Sequence, residues 1–469
     1  MTVLPLSSAI SFDDAIHDLR ARVAGGVLTR DDPGYDAART GWNLAFRPRP
    51  VVVVLADCTD DVVEAVRFAA DRNLGVAVRG TGHGPGPDAD DAVLLVTSRL
   101  TGVTIDPHTR TACVQAGAKW AAVLGPAQEL GLAPLLGSTT DVGVVGYTLG
   151  GGMGWLARKY GLASDSVRRF ELVTPDGIQV TATPTLNAEL FWALTGGGAG
   201  TLGVVTEVEI DLYPVSTVYA GNLLYPAELA HEVYRRWREW IVGMDESMTS
   251  AITLINLPPL PDVPEPMRGR TFVMVRGAWS GADLERGREL IDQWRAWREP
   301  EIDLFGPMPF SQVDSISMDP VQPLPALLTT EWLDSLHDNV IDIVVDAVVP
   351  QPGHEPLVLF AELRHAGGAM RGNAASAAND RGRSGELLLH FVAVPPFEHA
   401  IYAMDAHLRQ TREKLAPYVT GAVYPNFLDG DDRRTRAVNA YSEHHLARLR
   451  RVKAALDPGN RFAFGFGFE

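Results

Sequence analysis

Three glycine-dense stretches carry the residues of this chain whose types and spacing suit chemistry. The loop Arg79-Gly80-Thr81-Gly82-His83-Gly84-Pro85-Gly86 places four glycines around one histidine, directly after an apolar run ending at Val78. Successive amides in such a turn form a nest for pyrophosphate, and Arg79 adds positive charge. His83 has no carboxylate or cysteine at metal-ligand spacing; taken alone it reads as a hydrogen-bonded structural residue or as part of an anion site, and no metal is expected. A second stretch, from Gly137 to Gly161, holds eight glycines in 25 residues. That density destabilises regular elements and marks a backbone that must approach something closely. The third, Gly198-Ala199-Gly200-Thr201-Leu202-Gly203, fits the GxGxxG pattern of a dinucleotide turn. Its surroundings contradict that reading, because a helical segment precedes it and an alternating strand follows. Pyrophosphate binding at a helix N-terminus needs the reverse order. Direct use of a nicotinamide cofactor is therefore not expected, although a close backbone approach to some ligand is.

The elements that must position these loops are legible from periodicity. The β-branched run 51–55, a segment from Thr59 to Asp71 opened by Thr-Asp-Asp, and the run 75–78 predict a strand–helix–strand unit. Strands are expected at 93–96, 102–105 and 111–116, a helix at 119–130, and a half-exposed strand from Val204 to Pro214. A boundary follows near 215. Residues 216–420 have another rhythm, with strands near 217–224, 250–256, 271–277, 357–364 and 386–394 and helices near 226–242, 281–297 and 397–415. That order favours an antiparallel sheet with helices on one face. The last 50 residues are turn-rich and then helical over 435–456.

Composition narrows the partners. The 469 residues carry a net charge of −17 and no long basic tract, so nucleic acid is not an expected partner. The arginines at 433, 434 and 436 lie among Asp429, Asp431 and Asp432 and read as a solvated mixed-charge loop. No apolar window is long enough for a membrane span, and the N-terminus lacks the features of a signal peptide, so a cytoplasmic protein is expected. Cys58 and Cys113 share no CxxC spacing and read as structural thiols.

Taken together, RGTGHGPG, GSTTDVGVVGYTLGGGMGWLARKYG and LFWALTGGGAGTLGVVTEVEIDLYP resemble, in order and spacing, the vanillyl-alcohol-oxidase and para-cresol-methylhydroxylase superfamily. The resemblance is to its berberine-bridge-enzyme-like branch, and within it to bacterial members with a single histidyl-FAD bond, such as hydroxynicotine oxidases. It covers about Tyr35 to Val215 and resumes in YPNFLD and RLRRVKAALDPGNRF. It implies an α+β fold: a PCMH-type FAD-binding domain over 1–215 with its core at about 46–215, a substrate domain over 216–420 built on a large antiparallel sheet, and a segment 421–469 that returns to the first domain.

The resemblance further implies that the loop from Arg79 through Gly84 wraps the FAD pyrophosphate and that His83 bonds covalently to the 8-alpha methyl of the flavin. Thr139 stands where many members carry a cysteine for a second bond, so one link is expected. Gly137, Ser138, Thr139, Val142, Gly143, Gly146, Gly150, Gly151, Gly152 and Gly154 would pass along the flavin and diphosphate. Tyr160, Gly161 and Asp165 complete a motif used at the same place, and Gly203, Val204 and Val205 resemble the part that meets the adenine end. Val142 falls at an oxygen-gating position.

For catalysis, the resemblance points to the large sheet and the returning segment, where the candidates are Glu362, Arg364, Tyr424 and Asn426, with Trp42 lining the pocket. Glu362 and Arg364 share one face of a strand while His365 faces the other way; an exposed salt bridge is the structural alternative. Tyr424 and Asn426 are read as neighbours in an extended stretch, with Tyr424 or Glu362 as proton acceptor and Asn426 also touching the cofactor. The implied activity is FAD-dependent oxidation of a small organic molecule, of secondary-metabolite type, with oxygen reduced to hydrogen peroxide. The alternatives are a dehydrogenase with another acceptor and a flavin-binding protein without turnover. Substrate identity and oligomeric state are not legible.

Overall fold

The computed structural model describes residues 11–84, 89–198, 200–261, 263–373 and 376–468. Pro85 and Gly86 of the histidine loop, Ala199 and the first ten residues lie outside the described residues.

The first sheet is built on the strand–helix–strand unit. Val52–Leu55, Val93–Val96 and Val76–Arg79 run parallel, with Gly26–Thr29 antiparallel at the edge. Helix Thr59–Asp71 makes the crossover and buries Val62, Val66 and Phe68. Asp61, itself buried, accepts from the backbone N–H groups of Ala24, Gly25 and Asp57, which ties the helix start to two loops. Arg79 is the last residue of its strand, so the histidine loop leaves the sheet at the carboxyl end of the parallel strands, where open α/β sheets bind ligands.

A second sheet of five strands has the order Val103–Asp106, Thr111–Gln115, Val204–Asp211, Val167–Val173, Gln179–Ala182, all antiparallel. The glycine-rich segment 137–161 spans the space between helix Trp120–Glu129 and Val167–Val173 and forms only the short helices Val144–Leu149 and Ala157–Tyr160. Residues 198–203 join helix Ala188–Gly197 to strand Val204–Asp211, the order that argued against a nicotinamide turn.

The third sheet has eight antiparallel strands, with Thr217–Pro226, Thr271–Trp279, Met248–Asn256, Phe360–His365, Leu387–Ala393 and Leu327–Leu333 adjacent in that order. Period two sorts its faces. Ile252, Leu254, Val273, Val275, Leu363 and Leu389 pack on helices Ala230–Trp240, Leu284–Trp297 and Asp338–Val348 through Trp237, Ile291 and Ile341. The opposite face turns Arg276, Glu362, Arg364 and His390 toward the first domain, and Ala251 and Ala278 join that domain's core.

Several elements escaped the periodicity, among them helix Phe12–Arg22 and the strands Gly26–Thr29, Val167–Val173 and Gln179–Ala182. Strand Leu327–Leu333 follows the prolines at 320, 323 and 325, and helix Asp338–Val348 lies directly after it, with no turn signal as strong as those elsewhere. The expected helix at 435–456 begins only at Glu443, where the Ser442 hydroxyl accepts from the His445 N–H at 3.3 Å. The arginines at 433 and 436 do not form a solvated loop. Arg433 is buried with its guanidinium 4.2 Å from the Phe466 ring centroid, and Arg436 pairs with Glu331 and Asp432. The returning segment supplies Phe466 by docking Phe462, Phe466 and Phe468 into the first core.

Candidate active site

All three sheets contribute walls to one cavity of about 410 Å³. At one wall the histidine loop is held open by Gly82, whose φ of +79° suits glycine and whose absent β carbon would lie 2.6 Å from Gly41 Cα. The carbonyls of Thr81 and Gly82 accept from the N–H groups of Trp42 and Asn43, so the two segments are stitched together. Trp42 stacks on the His83 imidazole with centroids 4.4 Å apart and 17° between planes. On the other side, His83 Nε2 lies 3.0 Å from Asp141 Oδ2, and Lys119 bonds the other carboxylate oxygen. Burial pushes the His83 pKa down against the opposing pull of Asp141, which favours a neutral ring. Arg79 donates to the Ala38 carbonyl, and burial pushes its pKa down to about 10.

The far wall is polar. Glu362 accepts from Arg364 at 2.5 Å, from Arg276 at 2.9 Å and from the Thr253 hydroxyl at 3.0 Å. Its side chain is 2% exposed, so the alternative of an exposed salt bridge does not hold and the pair belongs to a buried cluster. Burial alone would raise the pKa of Glu362, but the two guanidiniums outweigh it and hold the carboxyl well below the usual range. His390 sits 4.0 Å from Glu362, and burial pushes its pKa down to about 3. His365 points into the helix-packed core beside Trp237.

Tyr424 and Asn426 come together, but by a different geometry from the expected extended stretch. Pro425–Phe427 is a 3-10 turn, and the turn brings Asn426 Nδ2 to 3.3 Å from the Tyr424 hydroxyl. The backbone N–H groups of Gly152 and Met153 face that oxygen and favour its ionised form. Burial pushes the phenol up to about 12, while these donors and Arg364 pull it back.

Of the expected cofactor residues, those from Arg79 to Gly84, Gly137, Ser138, Thr139, Val142, Gly143, Gly146, Gly203 and Val205 line the cavity. Gly150, Gly151, Gly152, Gly154, Tyr160, Gly161, Asp165 and Val204 are not on its wall, and for most of them packing explains why. Gly154 makes room for the Leu136 carbonyl and Gly152 for Tyr147 and Ala163. Tyr160 packs on Tyr213, Val204 is buried in the first core, and Asp165 caps Leu162 and pairs with Arg383 at 2.8 Å.

Several wall residues were missed. Arg276 in TFVMVRGAW and His390 in LLLHFVA were signalled by a lone polar residue inside an apolar strand. Asp319 lies in an irregular loop and gave no signal; it accepts from the Ser138 hydroxyl at 2.6 Å, and burial raises its pKa. Tyr147, whose hydroxyl is buried without a partner among the described residues, also lines the cavity.

Among the described residues no helix is long and apolar enough to cross a membrane. Residues 50–183 match the FAD binding domain family. The chain is 30% identical over 239 residues to the uncharacterized FAD-linked oxidoreductase YgaK of Bacillus subtilis (strain 168), aligning 50% of this chain with 53% of that one. It is 36% identical over 252 residues to (R)-6-hydroxynicotine oxidase of Paenarthrobacter nicotinovorans, aligning 50% of this chain with 54% of the relative. The chain thus spans about half the length of these two relatives. The crystal structure of 6-hydroxy-D-nicotine oxidase from Arthrobacter nicotinovorans shares the fold over 99% of this chain and 100% of that one, with a TM-score of 0.79 at 22% identity. Residues 50–183 thus carry the sequence of an FAD binding domain, and the chain as a whole has the fold of the solved 6-hydroxy-D-nicotine oxidase and is similar to FAD-linked oxidoreductases.

Proposed function

We propose that the chain is an oxidase that takes a hydride from a C–O or C–N carbon of a small organic molecule of secondary-metabolite type, in the cytoplasm, and passes the electrons to oxygen. The observation that carries this reading is that one cavity joins the glycine-framed His83 loop to the cluster of Glu362, Arg364, Tyr424 and Asn426. FAD fits the first of these walls. A β carbon on Gly146, also on the wall, would meet no atom within 4 Å, so backbone there leaves open space for a ligand's approach. The glycines of the His83 loop would hold the diphosphate, and His83 would bond the flavin covalently through Nδ1, since Nε2 faces Asp141. When bound, FAD supplies a two-electron acceptor.

The chain's residues do the rest. Both Glu362 oxygens are engaged by guanidiniums, so this carboxylate orients Arg364 better than it accepts a proton. Tyr424 accepts from Asn426 Nδ2 and has the Gly152 and Met153 N–H groups and Arg364 nearby, an arrangement that stabilises the phenolate form. It takes the proton of the substrate's heteroatom while Asn426 fixes the ring. Val142 on the wall is small enough to leave oxygen a path. The two cysteines stay unpaired, which suits a reducing compartment.

The test is anaerobic mixing with a panel of alcohols and amines, followed by air. Bleaching of the flavin by a panel member, then rapid reoxidation with peroxide release, is expected. Reoxidation no faster than free reduced flavin overturns the oxidase reading in favour of a dehydrogenase, and Val142→Leu should slow that step alone.

A further inference from the structure

Asp141 holds one group on each carboxylate oxygen. Oδ2 lies 3.0 Å from His83 Nε2, and Oδ1 accepts from Lys119 Nζ. The Asp141 N–H donates to the Thr139 hydroxyl oxygen at 3.3 Å, and Thr139 is itself buried. Trp42 covers the other side of the imidazole, so the ring is clamped between a carboxylate and an indole. Among the described residues Nδ1 has no hydrogen-bond partner. His83 is on the cavity wall, whereas Asp141 and Lys119 stand behind it, and Lys119 is 47% exposed.

We propose that Asp141 is the positioning residue for flavin attachment: by holding the Nε2–H tautomer of His83, it presents the Nδ1 lone pair to the flavin's 8-methyl carbon. The proposal rests on the reading that His83 carries the flavin covalently. In the step, the Nδ1 lone pair forms the C–N bond and the methyl carbon loses one C–H bond. The electron pair of that bond passes to the flavin ring. The proton from the methyl and the Nε2 proton end on the ring too, leaving it reduced by two electrons. Dioxygen then takes two electrons and two protons as hydrogen peroxide and restores the oxidised ring, now attached. Asp141 opposes the positive charge that grows on the imidazole and relays the Nε2 proton on its way to the ring. Lys119 bonds the other carboxylate oxygen and stands at the solvent edge. The arrangement is the orienter and imidazole of a nucleophile triad, with the imidazole itself as nucleophile.

The charged groups acting on His83 are Asp141 and Lys119 on one side and Asp319 on the loop across the cavity. Attachment needs a neutral imidazole, so its rate rises with pH through the His83 pKa. Asp141 raises that pKa, and its removal therefore moves the midpoint to lower pH.

Apoprotein made under riboflavin limitation, mixed with FAD over a pH series and followed by acid precipitation and mass spectrometry of the His83 peptide, tests this. Wild type should link. Asp141→Asn should link roughly 10²-fold more slowly, with its midpoint shifted to lower pH and its apoprotein melting temperature close to wild type. Asp141→Glu should restore the rate to within a few-fold. Should Asp141→Asn not fold, Asp141→Ser takes its place with the same expectations. Wild type holding only dissociable FAD overturns the histidyl reading and this proposal with it. Wild type that links while the Asn and Ser variants match it in rate and midpoint overturns the role of Asp141 alone, as does a slower rate with an unmoved midpoint.

Discussion

A β carbon on Gly150 would lie 1.7 Å from Asn426 Oδ1, so the glycine-rich segment and the returning C-terminal segment interlock at this point. Asn426 Nδ2 bonds the Tyr147 carbonyl at 2.9 Å on the same segment. Gly150 therefore admits a cavity-wall residue and does not itself line the cavity. Gly150→Ala should displace Asn426 and cost about 1–3 kcal/mol by overpacking, read as a lower melting temperature. Pairing it with Asn426→Ala should recover part of that stability but not the rate of flavin reduction. Additive losses in the pair would contradict the interlock.

Asp165 and Arg383 form a buried pair whose side chains are 8% and 0% exposed. Arg383 also donates to the Ser164 hydroxyl, so it fastens the segment near 163–166 to the second domain. Removing one partner of such a pair strands a buried charge, at about 3–5 kcal/mol. Asp165→Asn should lower the melting temperature markedly while leaving the bound-flavin absorption spectrum unchanged. A shifted flavin spectrum at unchanged stability would restore Asp165 to the cofactor wall.

These two cases mark how far the sequence reaches. The parallel strand–helix–strand unit, the reversed order around GAGTLG and the large antiparallel sheet were legible because period-two and period-3.6 patterns are local. So was the His83 loop. A glycine that admits a neighbour looks the same in sequence as one that admits a ligand, and Gly150, Gly152 and Gly154 each admit a neighbour. Asp141 and Asp319 act through partners 58 and 181 residues away and Arg433 through an aromatic ring of the returning segment, and no local pattern announces them.

Glu362 is held ionised by Arg276 and Arg364, so its carboxyl titrates below its unfolded value of about 4.3. A depressed carboxyl contributes stability that is complete above the unfolded pKa and is lost as pH falls beneath it. Glu362→Gln should destabilise at neutral pH by about 3–5 kcal/mol, because two guanidiniums lose their counter-charge in a buried site. It should also flatten the loss of stability on acidification below about pH 4. Chemical denaturation at about pH 7 and about pH 3 measures both, and an equal gap between variant and wild type at the two pH values would contradict the assignment.

Tyr424 makes the opposite demand on pH. Its phenol stands at about 12, because burial outweighs the donors that converge on its oxygen. A base must be deprotonated to work, so flavin reduction at saturating substrate should climb with pH through the neutral and alkaline range without a plateau below about pH 10. Arg364 and Asn426 both lower the cost of the phenolate, so Asn426→Ala should slow reduction most at the low end of that range. Tyr424→Phe removes the acceptor altogether and should reduce the flavin roughly 10²–10⁴-fold more slowly with the pH dependence abolished. A rapid-mixing pH series distinguishes this from loss of substrate orientation. Orientation loss slows reduction by one factor at every pH, whereas loss of the base removes the slope; a Tyr424→Phe profile that runs parallel to wild type would transfer the proton to another group, with the Asp319 carboxylate beside Ser138 the next to vary.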